Sequence, residues 1–293
     1  MLKIKVDGKE LKGIIEKALC NMDKKAALPL LTKIVLSDDG NKLTAYTSNL
    51  EGYLQVNTNN YSSIEAGSIG IAEEDLKVLL KMNNEVVITE LEDRILVQNG
   101  KKNISLIKYD IKDFPVMPDD IFVDSLQFKE NSFAETINNL VTFTSDNNNN
   151  KVMQCFHFNI TDNRVETLDG HRIGMRTIND NEKLISEGKL LVKNRIVSDL
   201  KKTLNKKSEL ELVISQSSKY IKVVGNNFTY IQRRIDGEYF RVGQMLTNDF
   251  KLSFKADTET MLSHMKYYTD NVIDKNDRKP VVLKIADNTL TTY

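Results

Sequence analysis

The sequence predicts an α+β protein built from tandem copies of one domain, with antiparallel sheets on one side and helices gathered on the other. Three observations predict it. Short runs of alternating or aliphatic residues are separated by Asp, Asn and Gly turns. Single amphipathic helices stand between those runs. The same order of elements then returns at domain-sized intervals: Asn41-Lys42-Leu43-Thr44-Ala45 has counterparts in Asn163-Arg164-Val165-Glu166-Thr167 and Asn288-Thr289-Leu290-Thr291-Thr292. A period of about 120 residues is too long for a solenoid and marks whole domains. The expected copies are residues 1–122, 123–247 and 248–293, with boundaries near Val123-Asp124 and Thr247-Asn248 and the last copy cut short.

Taken in order, a first strand at 2–6 leads to Asp7, which can cap a helix running to about Met22 with Glu10 reaching back to it. Leu11, Ile14, Ile15, Ala18, Leu19 and Met22 form one helical stripe, so that face is core. A hairpin follows, Ile34-Val35-Leu36 and Leu43-Thr44-Ala45-Tyr46, turned at residues 37–41. Strand 69–72 then leads into a helix from Glu73 to Lys81 and strands near 86–89, 95–98 and 104–107. The order strand, helix, strand, strand, strand thus appears twice in the first copy.

In the second copy Phe133, Ile137, Leu140 and Val141 make the helical stripe, with Ser132-x-x-Glu135 as a capping box. Asp199-Leu200-Lys201 repeats Asp75-Leu76-Lys77. The third helix carries Met261, Leu262, Met265 and Tyr268, with Asp257 as its cap.

Composition excludes several classes. At 40% hydrophobic and 28% charged residues the chain is globular, neither disordered nor fibrous. Apolar runs are strand-sized and none approaches the ~20 residues of a membrane span. The start reads as a strand, not a signal peptide. Cys20 and Cys155 make no disulfide framework, and His157, His171 and His264 have no zinc spacing. A formal charge of zero argues against wholesale coating by nucleic acid but leaves room for a local basic surface.

That surface has candidates. The solvent sides of the helices carry Lys9, Lys12, Lys17, Lys77, Lys81, Arg195, Lys201, Lys202 and Lys266, and Lys24 and Lys25 lie in a nearby loop. Glu10, Glu16, Glu73 and Glu74 dilute them, so each helix taken alone also reads as an ordinary solvated face. Copies that present their helices the same way would bring the lysines onto one wall, suited to phosphates and not to base edges.

A second focus is Leu168-Asp169-Gly170-His171-Arg172-Ile173. Asp169, His171 and Arg172 side by side permit acid–base chemistry. No nucleophile motif, phosphate loop or metal set accompanies them, and the strand and turn leading in belong to the repeat. The rim of a partner socket is the better reading, with Asp169 bracing the turn.

Four motifs, Leu28-Pro29-Leu30-Leu31, Ser48-Asn49-Leu50-Glu51, Thr167–Arg172 and Arg234-Ile235-Asp236-Gly237-Glu238-Tyr239-Phe240, together resemble the bacterial sliding clamp, the beta subunit of the replicative DNA polymerase. The resemblance runs over the whole chain in the right order and spacing. It implies sheets outside, helices lining an inner face, and a head-to-tail homodimer ring around duplex DNA in the cytoplasm, without catalytic activity or cofactor. Implied partners are the polymerase catalytic subunit, a clamp loader ATPase and other proteins bearing a clamp-binding motif. Carried over by residue, the peptide socket comprises Met153, Leu168, Gly170, His171, Arg172, Ile173, Phe240, Gln244 and Met245. The family often has proline where Phe240 stands and arginine where Gln244 stands. Lys25 matches a basic position of the family, and Asn148 and Lys151 fall in its inner loop of the second domain. The family also continues for most of another domain past Tyr293, so the third copy is expected to be incomplete here. The rival reading is a non-ring DNA-binding regulator or interaction scaffold made of the same domains.

Overall fold

The computed structural model describes residues 1–145, 150–178, 182–185, 189–246, 249, 252–271, 281–286 and 289–292. They form two compact units, Met1–Val242 and Gly243–Tyr293.

The first unit begins with β1 (Lys3–Asp7) and α1 (Gly8–Ala18), followed by β2 (Lys33–Asp38), β3 (Leu43–Ser48), β4 (Gly52–Thr58), β5 (Tyr61–Glu65) and β6 (Gly67–Ala72). Next come α2 (Glu73–Leu79), β7 (Glu85–Glu90), β8 (Arg94–Asn99) and β9 (Lys102–Ile107). The theme restarts with β10 (Val123–Lys129), α3 (Glu130–Leu140), β11 (Cys155–Asn159), β12 (Arg164–Leu168), β13 (Ile173–Thr177), β14 (Lys183–Leu184) and β15 (Lys189–Lys193). It closes with α4 (Ile196–Asp199), β16 (Glu211–Gln216), β17 (Tyr220–Val224) and β18 (Phe228–Arg233), ahead of a short α5 (Val242–Met245).

Three antiparallel sheets result, ordered β5-β1-β7-β8-β9, β14-β10-β16-β17-β18-β4-β3-β2-β6 and β13-β12-β11-β15. The nine-stranded sheet joins strands from either side of residue 122, because β18 pairs with β4 in the register Phe228↔Val56 to Gln232↔Gly52. One continuous core spans both copies, from Leu2 and Ile15 to Phe156 and Tyr230. In the second copy Phe128 meets Phe133 at 5.8 Å and Phe158 at 6.0 Å, both edge-on. Each such ring, fully buried, stabilises the fold by roughly 1.5–3 kcal/mol.

The seam between the copies is polar. The Ser48–Glu51 turn places Leu50 at φ 69°, with the Asn49 side chain accepting from the Glu51 and Gly52 N–H groups. Glu51 then reaches Lys193 at 2.5 Å, an ion pair that holds its carboxyl below the usual range. Beside it, Tyr230 donates to buried Asp199 at 2.7 Å. Burial pushes the Asp199 carboxyl up, against the pull of Arg195 and Tyr230.

Helix periodicity places the first stripe correctly, since Leu11, Ile14, Ile15, Ala18 and Met22 are all buried. Asp7 caps α1 by accepting from the Lys9 N–H at 2.8 Å. Glu10 does not reach back; it accepts from the Thr58 hydroxyl. The capping box at Ser132 is not formed either. Helix α3 starts two residues earlier, at Glu130, and the Ser132 hydroxyl instead donates to Glu182 and accepts from Arg176 at 2.8 Å. A carboxylate and a guanidinium contributed from far along the chain outcompete a local cap.

In the second unit α6 (Thr258–Asn271) is followed by the hairpin of β19 (Leu283–Ala286) and β20 (Thr289–Thr292), which pairs Ile285 with Leu290. Asp257 caps α6 as expected, accepting from the Thr260 N–H at 2.9 Å. Met261, Met265 and Tyr268 are half-buried, and Tyr268 donates to the Thr292 carbonyl at 2.6 Å. Leu262 departs from the expected stripe at 66% exposure, one position round the helix from the covered face. Residues Thr247 and Asn248, where the second boundary was expected, lie outside the described residues.

Candidate functional site

The 168–173 corner joins two paired strands, with Leu168 opposite Ile173. Turning the chain there requires a left-handed residue, and Gly170 supplies it at φ 89°. Asp169 organises the rest. Its Oδ1 accepts from the His171 N–H at 2.9 Å and the Arg172 N–H at 2.8 Å, and its Oδ2 accepts from Arg172 Nε at 3.0 Å and Nη2 at 2.7 Å. Arg172 Nη2 also donates to the Thr142 carbonyl at 2.9 Å, and its guanidinium lies 5.5 Å from the Phe143 ring centroid. Leu168 is therefore a buried floor and Ile173 half-buried, while Gly170, His171 and Arg172 are exposed at the rim.

Desolvation pushes the Asp169 carboxyl up, but the His171 N–H, the guanidinium and the Arg172 N–H outweigh it and hold the carboxyl at about 2. A depressed folded-state pKa gives stability that is present above the ordinary value of 3.8 and lost as the pH falls from there toward 2. The Arg172 amide and Nε resonances are therefore expected to move below pH 3.8, as the Asp169 carboxylate that they donate to takes up its proton. Arg172 resonances that stay fixed from pH 3.8 down to 2 would show that Asp169 does not brace the turn.

Segment 235–240 closes one flank. Ile235 is buried with Val152, Cys155 and Leu191, and Tyr239 and Phe240 pack on that cluster. The Tyr239 phenol lies near the Leu168 N–H, and burial pushes its pKa up. Phe240 is edge-on to Tyr239 at 5.8 Å, so Tyr239 links Phe240 to the floor of the corner. Sequence reasoning passed over Tyr239; its spacing of four from Ile235 was the available signal. Met153 is half-buried in the 3₁₀ turn Lys151–Gln154. Gln244 and Met245 are exposed on α5 and belong to the second unit.

Of the basic candidates, Lys17 is half-buried and the others are exposed, on or beside helices. Helix α1 packs on α2, and the 3₁₀ turn that ends α1 meets α4, so helices of both copies form one row. Lys202 of the second copy reaches Glu16 of α1 at 3.6 Å across that row. Lys24 pairs with Glu73 at 2.5 Å and Arg195 with Asp199 at 3.2 Å. Among the described residues Lys9, Lys12, Lys25, Lys77, Lys81, Lys151 and Lys201 have no carboxylate partner. Asn148 lies outside the described residues.

Residues 127–240 match the family model for the central domain of the DNA polymerase III beta subunit. That segment is similar to the central domain of a sliding clamp. Among curated relatives, the beta sliding clamp of Haemophilus influenzae is 22% identical over 72% of this chain and 59% of its own length. That of Vibrio cholerae is 23% identical over 98% of this chain and 79% of its own length. The fold matches the crystal structure of the polymerase beta subunit of Streptococcus pyogenes with a TM-score of 0.89, at 14% identity, over 99% of this chain and 80% of that one. The matched segment lies within the first unit and runs from β10 to just past β18. Among the described residues, no helix is long and apolar enough to cross a membrane, and no group of three or more His, Cys, Asp or Glu could hold a metal ion.

Proposed function

We propose that the protein is a DNA sliding clamp and processivity factor, non-catalytic and cytoplasmic, that encircles duplex DNA as a homodimeric ring without reading sequence. The polymerase catalytic subunit and other clamp-binding-motif proteins dock a short apolar peptide at the Leu168–Ile173 corner, with Met153 and Phe240 as further candidates of the first unit. A clamp loader ATPase opens the ring. The domains are the three copies 1–122, 123–247 and 248–293.

The row of α1, α2 and α4 carries this reading. It sets exposed lysines from two copies side by side on helices whose opposite faces are core. Lysines on flexible stems neutralise phosphates at any sequence. The corner supports the docking half: a buried leucine floor, an adaptable aromatic flank and a glycine that lets a guest backbone approach.

The test is topological. Loaded onto nicked circular duplex, the protein should remain through gel filtration and be lost when the circle is cut. Equal loss from both forms would remove the ring and favour the scaffold reading.

A further inference from the structure

Alternation along β11 sends Phe156 and Phe158 into the core and His157 to the other face of its sheet. There His157 is only 2% exposed. Its Nδ1 lies 2.7 Å from one Glu166 oxygen, and Arg164 Nε donates to the other. A carboxylate held this way accepts on both oxygens, which makes Nδ1 the donor and leaves Nε2 with a lone pair in the neutral ring. Burial holds the imidazole below its ordinary pKa, against the pull of Glu166, and so favours that neutral form. Tyr239 stacks on the ring at 4.5 Å.

Nε2 is buried and has no hydrogen-bond partner among the described residues. His157 lines a cavity of about 290 Å³ together with Lys189, Arg234 and Arg241. Arg234 Nη1 donates to the Ser217 carbonyl at 2.6 Å, yet its Nε is also buried without a partner. Lys189 and Arg241 are exposed at the cavity and pair with no carboxylate among the described residues, and Glu238 is the one acid in the lining. The residues that line this space thus carry one unmatched acceptor, one unmatched guanidinium donor and two cations without a carboxylate partner among the described residues. Buried polar atoms are rarely left unmatched without a reason.

We propose that this cavity binds a monoprotonated phosphate group, either inorganic phosphate or the end of a small phosphate monoester. Its P–OH donates to His157 Nε2, and its other oxygens accept from Arg234 Nε, Lys189 and Arg241. The lone pair on Nε2 selects for the proton: sulfate has none to offer near neutral pH, and neither does the phosphodiester of a DNA backbone. The site lies wholly within the first unit and does not depend on ring formation, so its failure would leave the clamp reading where it stands.

The probe is sodium phosphate, titrated into the full chain at neutral pH while the ¹⁵N resonances of the His157 ring are followed. Phosphate should shift Nε2 saturably, and sulfate or a dinucleotide diester should bind at least about tenfold more weakly, the effect of losing one buried polar contact. Glycerol phosphate as a further arm assigns the source: equal or tighter binding points to a monoester, weaker binding to free phosphate. The double variant K189A/R241A changes only exposed side chains and should weaken phosphate by about tenfold or more with an unchanged circular dichroism spectrum. No response at tens of millimolar phosphate, equal binding of sulfate, or a response that survives K189A/R241A as an adventitious ion only would each overturn the assignment.

Discussion

Gly52→Val should destabilise the first unit by about 3–5 kcal/mol, the sum of overpacking and lost buried hydrogen bonds. A Cβ at Gly52 would come within 2.7 Å of Asn21 Oδ1, 3.2 Å of the Tyr230 hydroxyl and 3.3 Å of Asp199 Oδ2. None of these can step aside cheaply. Asn21 Oδ1 accepts from Asn49 Nδ2 at 3.0 Å, and Asn21 Nδ2 donates to the Thr47 and Gly52 carbonyls at 3.2 and 3.3 Å. Tyr230 is held by Asp199 at 2.7 Å and by Gln232 at 3.1 Å. The substitution therefore pries open the seam where β4 and β18 join the two copies. Thermal denaturation measures it: the midpoint should fall by about 10 °C, at roughly 2–4 °C per kcal/mol for a body of this size. Gly13→Ala is the control. Nothing lies within 4 Å of its added Cβ, and alanine in a helix is worth up to about 1 kcal/mol over glycine, so that variant should hold or gain stability. Equal losses at Gly52 and Gly13 would mean that the seam is not a tightly packed polar joint.

Periodicity made the helical stripes legible because α1 and α3 each bury an apolar face against strands. Leu43 and Val165, matched by sequence alone, are both fully buried on corresponding strands. The 168–173 corner was legible for a local reason as well: an Asp-Gly pair writes its own turn, and Asp169 makes its bonds within three residues. What sequence could not supply were choices between distant partners. The β18–β4 pairing decides that the first two copies share one sheet, yet no feature of Gly52–Thr58 names Phe228–Arg233 as its neighbour. The Ser132 cap failed for the same reason, since Arg176 and Glu182 compete only once the chain has folded. Alternation put His157 and Glu166 on one sheet face, but it took the 235–240 segment lying over them to turn a surface pair into a buried one. Likewise Tyr61–Glu65 lacks the apolar alternation of the other strands and becomes β5 only because β1 offers it an edge.

The lysine row gives the second large effect. The triple variant K12A/K77A/K201A removes exposed cations that have no carboxylate partner, one from each of α1 and α2 and one just past α4. If each neutralises a phosphate, the slope of log affinity against log salt should become shallower by about 0.9 per lysine, hence about 2.7 in all. Between about 0.05 and 0.2 M salt the gap between the parent protein and the variant should then narrow by about 40-fold. The loss should be the same on A·T-rich and G·C-rich duplexes, because phosphate contacts carry no sequence. Lys24 and Lys202 provide the internal comparison. Their charges already face Glu73 and Glu16, so K24A/K202A should change the slope much less, although both residues stand on the same face of the chain by sequence. A slope that responds to K24A/K202A as strongly as to the triple variant would show that DNA draws on total charge, and the row of helices would lose its claim to be the wall that meets the duplex.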